Sequence, residues 1–285
     1  MAKNLVTFSE SPTELLRATP DFDLASIDTS STPGFTGKKR DGEKLLAAGA
    51  TELADLQEQL FANGKFGDNR SVLLILQAMD TAGKGGITKH VVGAVDPQGV
   101  SYHAFKAPTE EEKQHDFLWR IEKQVPARGM IGVFDRSQYE DVLIHRVRKF
   151  SPPEEIERRY GAIVDFENNL AAAGTKVIKV MLHISSATQK ERLTERLDRE
   201  DKWWKYSPGD VDERLLWPAY QEAYQIAIER TTTDTSPWFV VPADRKWYAR
   251  IAVQQLLLDA LRSFDLGWPE ADFDVAEEKK RLAAT

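Results

Sequence analysis

Cysteine is absent from this chain of 285 residues. Disulfides, thiolate catalysis and cysteine-ligated metal sites are therefore excluded. The chain also lacks any apolar run of about 18 residues, the length that a transmembrane helix needs, and its N-terminal residues lack the apolar core of a secretory leader. We therefore expect a cytoplasmic protein that does not associate with membranes.

Positive charge is in deficit. The chain has 38 Lys and Arg residues against 45 Asp and Glu residues, a formal net charge of −7. This balance argues against a protein that coats nucleic acid, and we expect no nucleic-acid partner. Any polyanion that the chain handles must instead meet a local basic patch. With 41% apolar and 29% charged residues, the composition is typical of a globular protein.

Composition and periodicity divide the chain into three segments. Residues 1–43 are rich in Ser, Thr, Pro and Asp and predict an irregular N-terminal arm, which could wrap on the body. Residues 44–266 predict one domain, and residues 267–285 predict an acidic, loose tail. Helical patterns in the domain cover residues 44–61, run from the Thr109–Glu112 capping box to about Val125 and from Pro152 to about Ala173, and cover residues 245–264.

Short apolar runs alternate with these helical patterns. The candidate strands are Ser71–Ala78, Val100–Phe105, Met130–Phe134, Lys176–Ile184 and Trp238–Val241. Strands that alternate with helices require βαβ crossovers, which place the strands parallel to one another. The sequence therefore predicts an α/β fold, a three-layer sandwich with a mainly parallel sheet.

A glycine-rich segment follows the first predicted strand and precedes a helical pattern. Glycines at such a turn let backbone N–H groups converge on a phosphate, and Lys84 adds a point charge. Ala78 stands where phosphate-binding loops carry their first glycine, and Gly85 stands where they carry a Ser or Thr that holds magnesium. An ordinary tight connection is the alternative. The order of strand, loop and helix favours phosphate binding by Ala82, Gly83, Lys84, Gly85 and Gly86.

Two carboxylates could replace the missing loop hydroxyl as metal ligands. Asp80 lies inside the loop, and Asp135 ends the strand over residues 130–134, where nucleotide-binding folds place an acidic residue. Carboxylates from adjacent strand ends can share one hard cation, here Mg²⁺ with Mn²⁺ as a possible substitute. The alternative is structural: Asp80 would cap the next helix, and Asp135 would pair with Arg136.

Four sequence blocks resemble the polyphosphate kinase 2 family. They are QAMDTAGKGG (77–86), FDRSQYEDVL (134–143), KWWKYSP (202–208) and VPADRKWYAR (241–250). The Tyr139-Glu140-Asp141 run is similar to class III of that family. The resemblance implies a P-loop kinase fold with a helical lid, in which polyphosphate and Mg²⁺ serve reversible phosphoryl transfer to AMP and/or ADP, with GMP and GDP as alternative acceptors. It also implies that Asp80 and Asp135 are metal ligands and that Lys84 and Arg136 serve catalysis.

A row of basic residues lies in the predicted lid, at about residues 186–206. Its members are Arg192, Arg196, Arg199, Lys202 and Lys205, and Lys89 could extend the track. The three arginines have the spacing i, i+4 and i+7, which places them on one helix face, with the acids of the helix on other sides. A lid that closes over phosphates would explain this row, whereas ordinary surface ion pairs are the alternative.

The nucleotide acceptor site is predicted near the end of the second strand, where related nucleotide kinases bind the acceptor. Phe105 could stack on a base, although it could equally be a core residue. The predicted acceptor residues are Phe105, Lys106, Arg120, Tyr139, Glu140 and Asp141. An ATP-dependent nucleoside-monophosphate kinase and a non-catalytic nucleotide-binding switch are the alternative functions. We also expect a homo-oligomer, either a dimer or a tetramer.

Overall fold

The computed structural model describes residues 5–285, and the sheet within them has five strands. The strands are β1 Ser71–Ala78, β2 Val100–Ala104, β3 Ile131–Asp135, β4 Thr175–His183 and β5 Trp238–Pro242. The α-helices are α1 Pro12–Leu15, α2 Lys39–Lys65, α3 Lys84–His90, α4 Trp119–Glu122, α5 Ile144–Val147, α6 Pro153–Ala172, α7 Ser186–Asp198, α8 Gly209–Leu215, α9 Trp217–Thr231, α10 Lys246–Arg262 and α11 Val275–Ala283. Each predicted strand is present, with bounds that agree to within one residue.

The strand order is β2-β3-β1-β4-β5, and every neighbouring pair is parallel. The central strand β1 is buried along its whole length, which explains its continuous apolar sequence SVLLILQA. The strands β2 and β3 lie on one side of β1, and β4 and β5 lie on the other, so the connections that leave the carboxyl ends of β1 and β3 run in opposite directions. Ligands bind at such switch points in open parallel sheets.

Helices cover both faces of the sheet. On one face Val72, Leu74 and Leu76 of β1 pack in a core shared with α2, α3 and α10. On the other face Leu73 and Ile75 pack in a core shared with α6 and α9. Alternate residues of a strand point to opposite faces, so one apolar strand serves both cores. The predicted three-layer α/β sandwich with a mainly parallel sheet is confirmed.

The predicted helix from Thr109 to about Val125 is wrong. Its capping box forms, since the Thr109 N–H donates to the Glu112 carboxylate at 2.8 Å and the Glu112 N–H donates to Thr109 Oγ1 at 3.2 Å. The resulting 3₁₀ turn ends at Gln114, however, and His115 is extended. The Asp116 carboxylate then accepts the N–H of Leu118 at 3.0 Å and begins a separate turn before α4. Local side-chain bonding of this kind competes with a continuous helix.

The segment before α2 lies against the outer edge of β5. The Ala18 N–H donates to the carbonyl of Trp238, and the Val240 N–H donates to the carbonyl of Leu16, both at 2.8 Å. These bonds surround an isolated antiparallel bridge between Arg17 and Phe239. The segment therefore satisfies backbone groups that an edge strand would otherwise expose. The helix predicted to begin at residue 44 begins at Lys39 instead.

The C-terminal segment contains α11, where the sequence predicted a loose tail. The Asp274 carboxylate accepts the N–H groups of Ala276 and Glu277 and so caps this helix. All residues of α11 are exposed. None of the helices in residues 5–285 is long and apolar enough to cross a bilayer.

Candidate active site

A cleft of about 880 Å³ opens beside the carboxyl ends of β1 and β3. Ten Lys or Arg side chains line it, against four Asp or Glu side chains. The whole chain carries a net charge of −7, so the positive charge is concentrated locally. The cleft is thus the basic patch that a polyanionic ligand requires.

The cleft brings together most of the predicted site. All the predicted phosphate-binding residues line it: Ala82, Gly83, Lys84, Gly85, Gly86, Lys89, Arg192, Arg196, Arg199, Lys202 and Lys205. The predicted catalytic residues Asp80, Asp135 and Arg136 line it as well. Further lining residues that the sequence analysis gave no role include His90, Tyr102, Asp210, Lys246 and Arg250. Lys246 and Arg250 belong to the family-like block over residues 241–250, which was the signal available for them.

The glycine-rich loop joins β1 to α3 in the predicted order. Gly83 precedes α3 with φ +125°, a conformation that L-residues rarely adopt, so glycine is needed for its backbone rather than for space. Lys84 Nζ lies 3.4 Å from the carbonyl oxygen of Ala78 and 3.8 Å from Asp135 Oδ1. The ammonium group is therefore held between the two strand ends, at the floor of the cleft.

Arg136 projects into the cleft from the residue after β3. Its backbone has φ +66°, which for a side-chain-bearing residue costs of order 1–3 kcal/mol and is tolerated mainly at functional sites. Its guanidinium lies 3.3 Å from Asp80 Oδ1 and 3.8 Å from Glu140 Oε2. These carboxylates, Glu140 foremost, raise the pKa of Arg136, so the guanidinium stays charged. Burial in turn raises the pKa of the Glu140 carboxyl.

Asp80 and Asp135 present carboxylates to the cleft from adjacent strands. Their side chains are 28% and 21% exposed, so water can reach both. The Tyr102 hydroxyl donates to Asp135 Oδ2 at 3.3 Å, and burial, with help from Asp135, raises the pKa of Tyr102 to about 12, which keeps it a donor. No group of three or more His, Asp or Glu side chains forms a metal cage in residues 5–285. Two wet carboxylates suit Mg²⁺, which keeps several waters and binds substrate phosphates.

Arg192 differs from its predicted role as a free member of the arginine row. The residue is buried, with 7% of its surface exposed. Its guanidinium donates to the carbonyls of Thr81 and Ala82 in the loop, and to those of Ala243 and Asp244 before α10, at 2.8–3.0 Å. Four of its five N–H donors are thereby used. Arg192 ties the loop to the β5–α10 connection.

Three of the remaining cations of the predicted lid, Arg196, Arg199 and Lys202, are already paired with acids. The helix α7 ends at Asp198, so Arg199 lies in extended backbone and is not on the helix. Arg196 donates to the Lys205 carbonyl at 2.8 Å and lies 3.3 Å from Asp210, while Arg199 pairs with Asp201 at 2.9 Å. Glu195, expected on another side of the helix, lines the cleft and lies 3.3 Å from Arg199. The expectation that the acids point away from the arginines is therefore wrong at this position.

The six predicted acceptor residues do not line the cleft. Phe105 is a core residue, because its ring packs 5.0 Å from that of Phe134 in an edge-on contact. Tyr139 is fully buried, and its hydroxyl donates to Glu167 at 2.8 Å. The structure thus favours the core interpretation of Phe105, which the sequence left open, and corrects the assignment of Tyr139.

Arg120 and Asp141 form a buried ion pair outside the cleft. Their side chains lie 3.4 Å apart, and Arg120 also donates to the carbonyl of Lys106 at 2.8 Å. Arg159 lies 3.8 Å from Asp141, so this carboxylate is committed to two guanidinium groups. Lys106 itself is exposed outside the cleft. Within residues 5–285, Glu140 is the one predicted acceptor residue that forms an ion pair with a cleft side chain, that of Arg136.

A glycine-rich loop with a lysine, a pair of open carboxylates and a cation-lined cleft meet at the switch point of a parallel sheet. This combination defines a phosphotransferase of the P-loop kinase class, in which position and positive charge do most of the catalytic work.

Comparison with known proteins assigns the chain within that class. Residues 36–266 match the family described as Polyphosphate kinase 2. The AMP/ADP-polyphosphate phosphotransferase of Meiothermus ruber is 42% identical over 265 residues, covering 92% of this chain and 97% of that protein. The ADP-polyphosphate phosphotransferase of Rhodopseudomonas palustris is 39% identical over 260 residues, covering 87% and 88%. The crystal structure of polyphosphate kinase 2 from Arthrobacter aurescens TC1 has 62% identity and a TM-score of 0.97, over 99% of this chain and 100% of that one.

The chain therefore belongs to the polyphosphate kinase 2 family, as the four sequence blocks predicted.

Proposed function

We propose that this protein transfers a phosphoryl group from inorganic polyphosphate to AMP and ADP, and in reverse from nucleotide to polyphosphate. The observation that carries the proposal is the cleft itself, in which ten cationic side chains face four acidic ones beside the loop lysine. A polyanion with a charge on every phosphate unit matches this excess better than a single nucleotide does. The names of the relatives at 42% and 39% identity support the same donor and the same acceptors.

The chain's own residues supply position and charge for an in-line transfer. An oxygen of the acceptor phosphate forms a bond to the terminal phosphorus of the chain, while the bridging P–O bond breaks and the shortened chain leaves with the electron pair. Lys84 and Arg136 approach this point from the loop and from the end of β3, where they neutralise charge on the transferring group. No protein nucleophile is needed.

Asp80 and Asp135 would hold Mg²⁺, or Mn²⁺ in its place. Such an ion, when bound, offsets charge on the phosphate oxygens. Tyr102 orients Asp135 through its hydroxyl, at 3.3 Å. Arg192 fixes the loop that carries Asp80. Closure of the lid over the cleft and assembly into a dimer or a tetramer both stay predictions.

One assay tests the proposal against its alternatives. The purified protein is incubated with Mg²⁺, polyphosphate and either AMP or ADP, without ATP, and products are separated by ion-exchange chromatography. We expect ADP and ATP to form. A parallel reaction contains ATP in place of polyphosphate. A product that appears only in that reaction would identify a nucleoside-monophosphate kinase. Nucleotide binding with no product from either donor would identify a non-catalytic switch.

A further inference from the structure

The N-terminal segment before α2 is fastened to the body of the protein beside the active site. The Thr29 hydroxyl donates to Asp244 Oδ2 at 2.7 Å, and the Thr29 carbonyl accepts the Asp244 N–H at 3.1 Å. The carbonyl of the next residue, Ser30, accepts from the Arg245 guanidinium at 2.7 Å. The segment therefore holds the connection between β5 and α10, at residues 243–245, through both backbone and side chains.

The carboxylate of Asp244 extends this attachment to the helix α7. Its other oxygen, Oδ1, accepts the N–H of Ser185 at 2.9 Å. Ser185 is the N-cap of α7, and its hydroxyl accepts the N–H of Thr188 at 3.1 Å. Burial would raise the pKa of Asp244, but hydrogen bonds from Ser185, Thr29 and Thr188 outweigh it and lower this pKa. One ionised carboxylate thus joins the N-terminal segment to the start of α7.

The same connection reaches the glycine-rich loop through Arg192. This guanidinium donates to the carbonyls of residues 243 and 244 on one side, and to those of Thr81 and Ala82 in the loop on the other. A trans peptide unit points its N–H opposite to its C=O, so fixing the Ala82 carbonyl also fixes the direction of the Gly83 N–H. The position of the connection therefore sets how the loop presents its backbone.

We infer that Asp244 is a positioning residue of the active site and that the N-terminal segment holds it in place through Thr29. Asp244 acts through Ser185 and Arg192, which fix the start of α7 and the loop relative to each other, and not by contact with a phosphate. Small displacements of groups that orient a substrate cost large factors in rate. The inference rests on the proposed function, since it concerns the loop that serves that reaction.

The chain offers a matched contact that lies far from the loop. The Thr13 hydroxyl donates to Asp259 Oδ2 at 2.9 Å, which attaches the same N-terminal segment to the far end of α10. Asp259 lies about 20 Å along the helix from Lys246, at 1.5 Å per residue. Thr13 and Thr29 are both partly buried, and each carboxylate keeps a second partner when the threonine hydroxyl is removed. The two contacts therefore differ mainly in what their carboxylates hold.

The test compares Thr29→Val with Thr13→Val, which remove one hydroxyl each and keep the shape of the side chain. Both variants should lower the melting temperature by a similar few degrees. Thr29→Val should also lower kcat for phosphorylation of ADP by polyphosphate roughly three- to tenfold, with the KM for ADP changed less than about twofold. Thr13→Val should leave kcat unaltered, since its contact leads away from the loop.

A second measurement follows the loop directly. Hydrogen–deuterium exchange in the peptide over residues 79–88 should be faster in Thr29→Val than in the wild type, and unchanged in Thr13→Val. Asp244→Ala should increase both effects, with kcat lowered more than tenfold. Asp244→Asn should recover part of the loss, because its amide oxygen can still accept the N–H of Ser185. If Asp244→Ala does not fold, the two threonine variants still decide the question.

Three results would overturn the inference. An equal fall of kcat in the two threonine variants would make the Thr29 contact a general stabiliser of the fold. Unchanged kcat in Thr29→Val would detach the N-terminal segment from the site, and faster exchange of the loop without a fall of kcat would separate the order of the loop from the reaction. In each case wild-type turnover with polyphosphate leaves the proposed function standing. A wild-type protein that makes no product from polyphosphate would instead overturn the proposed function, and the exchange comparison would still report on Asp244.

Discussion

The cleft and the buried network beneath it use the same side-chain types for different ends. In the network Lys179 Nζ lies 2.6 Å from Glu167 Oε2, with the two side chains 0% and 1% exposed. Lys179 also donates to the carbonyl of Thr231 at 2.7 Å. In the cleft Lys89 and Arg250 have no such partner among the described residues. The fully buried Lys179–Glu167 pair thus serves the architecture, whereas the cleft keeps cations without a carboxylate partner, which can meet an anionic ligand.

The two regions are connected through Tyr139. Its hydroxyl donates to Glu167 and also lies 3.1 Å from Lys179 Nζ. Tyr139 belongs to the 3₁₀ turn Gln138–Asp141, which begins two residues after Arg136. The buried pair therefore fixes the turn that sets the position of the Arg136 and Glu140 side chains. Burial raises the pKa of Glu167 and lowers that of Lys179, so their mutual pairing must offset the cost of desolvation.

The largest expected effect is a loss of activity when a cleft carboxylate is neutralised. Asp135→Asn and Asp80→Asn should each lower kcat/KM by roughly 10²–10³-fold, because charge on the reacting phosphates loses its compensation. Both positions are open to water, so the melting temperature should move by only a few degrees, about the scale of a surface substitution. Turnover at increasing Mg²⁺, alongside thermal unfolding, measures both effects.

Asp234→Asn is the control for these variants, since that carboxylate is exposed and pairs with Arg17 on the surface. It should leave turnover unchanged. Near wild-type turnover of either cleft variant at saturating Mg²⁺ would contradict the metal assignment of that residue.

Substitution in the buried Lys179–Glu167 pair should instead lower the stability of the fold. Lys179→Met leaves Glu167 buried without its cation, which typically costs about 3–5 kcal/mol of unfolding free energy. Lys179→Met combined with Glu167→Gln removes both charges, while the amide oxygen can still accept from Tyr139, so part of the loss should be recovered. Urea unfolding measures both proteins. Lys89→Met, in the cleft, is the matched control and should change the unfolding free energy by less than about 0.5 kcal/mol. If Lys179→Met is as stable as this control, the pair has no structural role.

A smaller effect on stability is expected at His145, which lies beside the buried ion pair of Arg120 and Asp141. Its Nδ1 accepts from Arg159 at 3.1 Å and lies 2.9 Å from Ser151 Oγ, and its Nε2 lies 3.5 Å from Asp141 Oδ1. Burial, then Arg159 and Arg120, lowers its pKa from 6.5 to about 4. The unfolded chain therefore binds more protons between these values, so stability is present above pH 6.5 and is lost as the pH falls toward 4.

His145→Gln should remove this part of the pH dependence. The wild type is expected to lose about 2 kcal/mol more than the variant between roughly pH 7 and pH 5, as measured by urea unfolding. Above about pH 7.5 the two proteins should show parallel pH profiles, which serves as the internal control. Parallel profiles throughout would mean that His145 titrates alike in both states.

The sheet was predictable because its signal is local. Strand β1 is buried on both faces, so its apolar run has the same bounds in sequence and structure. The positions of Asp80 and Asp135 at the carboxyl edge of the sheet were predictable for a related reason, since a residue at or just after the end of a parallel strand lies at that edge whatever the helices do. The failed helix after Thr109 shows the limit. There the Asp116 side chain takes a backbone N–H that a continuous helix would have used differently.

The functions of individual arginines depended on contacts that no local pattern contains. The spacing of Arg192 predicted a lid residue that binds phosphate. Its guanidinium instead donates to the carbonyls of Thr81 and Ala243, which are far away in sequence. Phe105 stands at a strand end that could face either the cleft or the core, and only its packing on Phe134 decides between them. Arg250 was visible in the block over residues 241–250, but its proximity to Gly86 follows from the packing of α10 on α3.

The smallest expected effect concerns Glu195, an acid that lies between a cation of the lid and a cation of α10. It lies 3.3 Å from Arg199 and 4.0 Å from Lys246, so one acid partly neutralises both cations. Glu195→Gln should therefore lower the KM for long-chain polyphosphate by about two- to threefold, the scale of one exposed ion pair. The gain should shrink as salt is added, because exposed charges are screened. Asp198→Asn, at the exposed end of the same helix, makes the same change of charge outside the cleft and should leave KM unaltered. If both variants lower KM equally, net charge rather than the local pairing of Arg199 and Lys246 controls donor affinity.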